Sequence, residues 1–187
     1  YRVMVSVTHT SEWWLIIVAL LIVLLRNNDR TGVLLAILGI ALTVLIADQF
    51  SSTLCKPFFH RLRPSHDPWF GNAVDIVNGY RSGLYGFISS HAANTFGVAV
   101  FVSLLVRHRT LSVMLFLWAT VASYSRIYLG VHYPGDILCG ALWGMLTGYV
   151  VYRIHALASS HWCGRRSHFS SRYTATGYLI DDVQWLC

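Results

Sequence analysis

Three short stretches gather the side chains best suited to chemistry. KPFFHRLRP, residues 56–64, holds Lys56 and Arg63 seven residues apart, with His60 and Arg61 between them. In a helix that spacing puts both cations on one face. Two fixed cations converging on one point suit a phosphate. A basic helix end reaching for lipid headgroups is the plainer alternative. In ISSHAAN, residues 88–94, Ser89 and Ser90 are good N-cap residues. A helix N-terminus offers free N–H groups to an anion, and serines also cap helices with no ligand nearby. His91 would sit in the first turn, as a working imidazole or a structural one. SRIYLGVHYPGD, residues 125–136, adds a third cation, Arg126. Pro134 suits a first helical position. His132 and Asp136 lie four residues apart around that start. The carboxylate can then accept a hydrogen bond from the ring, fix its tautomer and aim the other nitrogen outward. The same spacing also serves simple capping.

The elements that must position these groups are membrane helices. Of the 187 residues, 55% are hydrophobic and 12% charged. Average soluble domains carry about 25% charged residues. Five segments read as spans, roughly 13–25, 32–54, 91–106, 111–124 and 137–154. A crossing helix needs about 20 mostly apolar residues, so the first is short unless extended through Val3 to Glu12. The expected fold is an all-α, polytopic membrane bundle over residues 1–158, followed by a Ser- and Arg-rich cytoplasmic tail, 159–187, partly disordered. Gly140, Gly144 and Gly148 form a small-residue ridge for a close helix neighbour. Trp13, Trp14, Trp118 and Trp143 suit interfacial or packing positions. Cys55, Cys139, Cys163 and Cys187 are far apart and read as free thiols filling space.

Charge sets the orientation. Arg26, Arg30, Arg107, Arg109, Arg153, Arg165, Arg166 and Arg172 all fall on one side if the spans alternate. The positive-inside rule makes that side cytoplasmic. Lys56, Arg61, Arg63, Arg81 and Arg126 fall on the other side and need a separate explanation. The net charge of +6 is scattered in short clusters between apolar runs. It makes no nucleic-acid stripe.

All three motifs lie at span ends on that second side. Together they supply two histidines, one with a carboxylate partner, and three cations, without a cluster of carboxylates or cysteines for a metal. Metal-free phosphoryl transfer needs such a set, because its catalysis is mostly positioning and charge neutralisation.

The set resembles the type 2 phosphatidic acid phosphatase family, the lipid phosphate phosphatases, whose pattern is KxxxxxxRP, PSGH and SRxxxxxHxxxD. Lys56, Arg63 and Pro64 complete the first part; Ser125, Arg126, His132 and Asp136 complete the third. In the second, Ser89 and His91 stand as in the family, while Ile88 replaces its proline and Ser90 its glycine. The resemblance covers roughly residues 32–154. It implies that His132 attacks phosphorus, Asp136 orients it and His91 protonates the leaving oxygen. It also implies that Lys56, Arg63, Arg126, Ser89 and the backbone at Ser90 hold the non-bridging oxygens, with no metal or cofactor. The family core has six helices. With Tyr1 in place of a methionine, an upstream segment is expected.

ADQFSSTL, SSHAANTF and VHYPGDIL are similar to bacterial members of the Bacteroidetes type. The resemblance suggests a bacterial inner-membrane enzyme facing the periplasm and acting on a membrane lipid phosphate. Undecaprenyl diphosphate ranks first, on generality; lipid A and phosphatidylglycerophosphate are the alternatives. Loop 65–87, with Trp69, Phe70, Tyr80, Arg81 and Tyr85, is a headgroup selector or a plain surface loop. Asp48 braces an arginine such as Arg63, or faces water. A non-catalytic lipid-phosphate binder and a transporter are the rival classes. The transporter reading calls for polar groups deep in the spans, where Asp48 stands nearly alone.

Overall fold

The computed structural model describes residues 13–69, 82–162 and 172–185. Helix α1 covers Trp14–Asn27. Helix α2 runs Arg30–Phe59. Asp29 caps it by accepting the Gly32 N–H at 3.0 Å. Its final turns widen into a π-helical segment, Phe50–Cys55, and close as Lys56–Phe59. Helices α3 (Ser90–Val106), α4 (Arg109–Tyr128), α5 (Pro134–Trp162) and the short α6 (Ile180–Gln184) follow. The described residues also include a 3-10 turn at Pro64–His66 and two isolated bridges. The expected all-α architecture is observed.

Among the described residues, α2, α4 and α5 contain helices long and apolar enough to cross a membrane, which makes this a multi-pass membrane protein. The other two expected spans are apolar but shorter, Ile16–Asn27 and Ser90–Val106. The possible extension through Val3 to Glu12 lies outside the described residues. Leu34, Leu45, Leu138, Leu142 and Leu157 are exposed, as side chains facing lipid must be.

The glycine ridge decides how α5 meets α3. A Cβ at Gly140 would lie 2.5 Å from the Ser89 carbonyl oxygen. At Gly144 and Gly148 it would lie closer still to the carbonyls of Ala93 and Gly97. The two backbones therefore touch along three turns, which only glycine permits. Because the first contact is with Ser89, the ridge also sets the height of α3's N-terminus against α5. Trp118 meets Trp13 edge-on at 4.7 Å, and Trp143 stacks on Phe50 at 3.7 Å. These are packing roles; Trp14 is exposed. Cys55 is buried, but Cys139 is exposed rather than filling space. Cys163 and Cys187 lie outside the described residues.

At the end of the bundle away from the three motifs, the chain's last part packs onto the helices. The boundary expected at 158/159 falls inside α5, which continues to Trp162. Residues 172–185 fold back onto α1, α3 and α4. Asp182 accepts from Arg26 at 3.1 Å and from Asn27 at 3.2 Å. Asn28 donates to the Tyr178 hydroxyl at 3.2 Å, and Thr176 to the Val106 carbonyl at 3.0 Å. Tyr178 and Val183 join the core formed by Leu24, Phe101, Val102, Val106 and Leu111. The described part of the tail is therefore docked, not loose. The apolar residues that dock come from the short apolar stretch around Tyr178–Ile180 and Val183 that follows the Ser- and Arg-rich part.

Candidate active site

Local sequence builds each part of the site. Ser89 is the N-cap of α3, and its hydroxyl accepts the Ala92 N–H at 3.4 Å. Ser90 and His91 therefore open the helix. Pro134 starts α5, and Asp136 stands three residues after Tyr133. The Asp136 Oδ2 accepts the Tyr133 N–H at 3.0 Å, the reach-back half of a capping box. The same oxygen lies 3.5 Å from Nδ1 of His132. Capping and histidine pairing are therefore one arrangement, served by one carboxylate. A bond from the Ser89 N–H to the Asp136 carbonyl, 3.0 Å, ties the two helix starts together.

Lys56 and Arg63 do converge, but not along one helix. The helix stops at Phe59; His60 takes left-handed dihedrals (φ 47°) and Arg63 is extended. Clash with the following proline disfavours helical dihedrals at Arg63, so Pro64 carried the signal against a single helix. The reversal brings Arg63 back beside the HYPGD turn. Its Nε donates to the Tyr85 carbonyl at 3.1 Å, its NH1 to the Val131 carbonyl at 3.1 Å, and NH1 lies 3.2 Å from Nε2 of His132. Lys56 Nζ donates to Ser52 at 3.1 Å and to Ser90 at 3.3 Å. The Ser90 side chain, where the family pattern has glycine, thus faces Lys56. The NH2 group of Arg126 reaches His91, 2.9 Å from Nδ1 and 3.2 Å from Nε2.

Every site residue expected from sequence is thus gathered at one end of the bundle. Arg63 and Asp136 are buried with His132, while Lys56, Ser90, His91 and Arg126 are half-buried. Ser89 is fully buried, with its hydroxyl engaged in the cap. Burial pushes the His132 imidazole down from 6.5 to about 4. The Asp136 hydrogen bond works the other way, and the Arg63 and Lys56 charges add to the lowering. At neutral pH the ring is neutral. An arginine only donates, so Nε2 holds the lone pair and Nδ1 the proton. That proton faces Asp136, and Nδ1 makes no closer hydrogen bond. Once a phosphate takes up the Arg63 N–H, the neutral ring has its Nε2 lone pair free, beside fixed cations, to attack an electrophilic phosphorus.

Asp48 does not brace Arg63. Its carboxylate is 3.5 Å from the Ser52 hydroxyl, which links it loosely towards Lys56. Arg61 pairs with the buried Asp136, NH1 to Oδ1 at 2.9 Å; sequence had marked it only as nearby charge. Gly86 is a second omission: a Cβ there would stand 3.1 Å from Arg63 Cγ and 3.3 Å from Asp136 Oδ2. Of the suggested selector loop, Trp69 is exposed, while Tyr85 packs edge-on against His60 at 4.9 Å. Phe70, Tyr80 and Arg81 lie outside the described residues. Among the described residues, no group of three histidine, cysteine, aspartate or glutamate side chains comes together.

The profile of the PAP2 superfamily matches residues 32–159, and the chain belongs to that superfamily. Two curated relatives give the likeness more detail. One, a lipid A 4'-phosphatase of Porphyromonas gingivalis, is 43% identical over 131 residues, 70% of this chain and 56% of its own. The other, a lipid A 4'-phosphatase of Bacteroides thetaiotaomicron, is 47% identical over 122 residues, 65% of this chain and 54% of its own. The chain therefore spans a little over half the length of these relatives. A crystal structure of a transmembrane PAP2-type phosphatidylglycerolphosphate phosphatase from Bacillus subtilis aligns with a TM-score of 0.61, covering 83% of this chain and 76% of that one. At 22% identity this likeness is one of fold.

Proposed function

We propose that this protein is a metal-independent lipid phosphatase that removes the 4'-phosphate of lipid A through a phosphohistidine intermediate. The observation that carries the chemistry is the neutral His132, with Nε2 beside Arg63 and Nδ1 towards a buried carboxylate. The substrate rests on the two relatives, which favour lipid A over the undecaprenyl diphosphate reached by generality alone.

His132 Nε2 bonds to phosphorus as the ester P–O bond breaks. His91, protonated from solvent as the anionic phosphate arrives and draws Arg126 away, gives the leaving oxygen that proton. Water then attacks the phosphohistidine, with His91 taking a proton from it, and inorganic phosphate departs with the His132 ring restored. Lys56, Arg63 and Arg126 balance charge on the non-bridging oxygens, where fixed donors are most effective. Ser89 serves by capping α3, whose N-terminus leaves backbone N–H groups free at Ser90 and His91. An arriving phosphate takes the Arg126 N–H now directed at His91.

On this reading α1–α5 cross five times, the arginine-rich ends and residues 172–185 lie in the cytoplasm, and the site faces the periplasm across the inner membrane. The distribution of arginines supports this. A cysteine introduced at the exposed Trp69 should react with an impermeant maleimide from the periplasm. Labelling only in inverted vesicles reverses the orientation.

The deciding experiment is phosphate release in detergent from lipid A, undecaprenyl diphosphate and phosphatidylglycerophosphate. Lipid A should be hydrolysed fastest, by at least about tenfold, a margin of roughly 1.4 kcal/mol. Faster release from the carrier diphosphate overturns the substrate. No release from any of the three overturns the enzyme.

A further inference from the structure

We propose that Arg61 is a positioning residue of this site: its guanidinium holds the buried carboxylate of Asp136, and through it the ring of His132. The inference rests on the phosphohistidine reading above. Asp136 is fully buried, and its two oxygens have separate duties. Oδ2 faces the Tyr133 N–H and His132 Nδ1. Oδ1 accepts from Arg61 NH1 at 2.9 Å. A buried carboxylate without a charged partner is costly and turns towards whatever donor it can find. Arg61 anchors the oxygen that His132 does not use, which leaves the other aimed at the ring.

Arg61 is itself held. Its guanidinium lies over the Tyr133 ring, 4.3 Å from the centroid. The Tyr133 hydroxyl donates to Asp67 at 2.9 Å, and the Arg61 carbonyl accepts from Gly86 at 2.9 Å. Both ends of the network reach the loop after α2, so the histidine-bearing turn is clamped from outside. Side-chain exposure of 45% at Arg61 keeps the cation partly solvated while its NH1 reaches inward. A lysine keeps the charge but loses the planar fork and the stacking surface.

The test uses Arg61→Met, Arg61→Lys and Tyr133→Phe in the full chain, with detergent-phase unfolding measured for each. Arg61→Met should lower kcat about 10²-fold with KM within about threefold, and leave inhibition by inorganic phosphate unchanged. Arg61→Lys should recover part of the loss. Placed in an Asp136→Asn background, Arg61→Met should cost nothing further, because both changes act on the same carboxylate. Additive losses, or a rise in KM and in the inhibition constant with kcat preserved, overturn the proposal and make Arg61 a substrate contact. If Arg61→Met does not fold, the same cycle with Arg61→Lys carries the decision. An inactive wild type refutes the phosphatase reading; an active wild type with an unimpaired Arg61→Met refutes only the positioning role.

Discussion

The NH1 group of Arg63 lies 3.2 Å from Nε2 of His132, and the same nitrogen donates to the Val131 carbonyl at 3.1 Å. One guanidinium thus fixes the turn that presents the histidine and engages the Nε2 lone pair until a phosphate draws the N–H away. On the proposed mechanism, a phosphate entering this site meets Arg63 and the attacking nitrogen together. Positioning of this kind lowers the barrier before any bond changes.

On the proposed mechanism, replacing His132 by alanine removes the attacking atom. Phosphate release from lipid A should fall below about 1% of wild type, the order expected when the nucleophile is lost. EDTA should leave the wild-type rate unchanged, because the cations are side chains. Robust turnover by the alanine variant, or strict magnesium dependence, contradicts the mechanism.

Asp136→Asn keeps the shape but replaces a carboxylate oxygen by an amide that cannot hold the Nδ1 proton in the same way. We expect kcat to drop by about 10²-fold or more, by analogy with other buried histidine–carboxylate pairs. KM should change little, since Asp136 touches no substrate. A variant with near-wild-type kcat would show that His132 orients itself unaided.

The pH dependence follows from burial. The folded His132 titrates at about 4 instead of 6.5. Above that pH Nε2 keeps its lone pair; below it the ring is protonated and cannot attack. The acid limb of kcat/KM due to His132 should therefore fall near pH 4, after correction for substrate ionisation. Full loss of activity between pH 7 and 6 from this group contradicts the burial described.

Gly140→Ala places a Cβ against the Ser89 carbonyl. The helices must separate, costing about 1–3 kcal/mol. The shift loosens the Ser89–Asp136 link, so kcat should fall along with the unfolding temperature. Cys139→Ala, on the neighbouring exposed position, is the control and should alter neither.

Asp182→Ala removes the acceptor for Arg26 and Asn27 at the far end of the bundle. The unfolding temperature in detergent should drop by about 2–4 °C, as for a loss of roughly 1 kcal/mol in a chain of this size. Phosphate release per folded molecule should stay at the wild-type value. An unchanged unfolding temperature would mean that the docking of residues 172–185 adds no stability.

Short-range features were legible without coordinates. Apolar runs marked the positions of α1–α5, and the spacing of Gly140, Gly144 and Gly148 marked the ridge. Ser89 and Pro134 marked two helix starts, and His132 and Asp136 sit close enough in sequence to pair by local geometry. These follow from periodicity, capping and backbone sterics, which act over a few residues.

Only the tertiary structure decided the rest. Arg61 and Asp136 are 75 residues apart, and their pairing depends on the reversal at His60 and the return of the chain through Gly86. The convergence of Lys56 and Arg63 was anticipated, but along the wrong path, because a helical spacing rule ignored the constraint Pro64 places on Arg63. Ser90 meeting Lys56, and residues 172–185 seated on α1, likewise have no local signature. Which distant groups meet is set by how the glycine ridge and the buried turns let the helices close together, and no stretch of sequence read alone contains that.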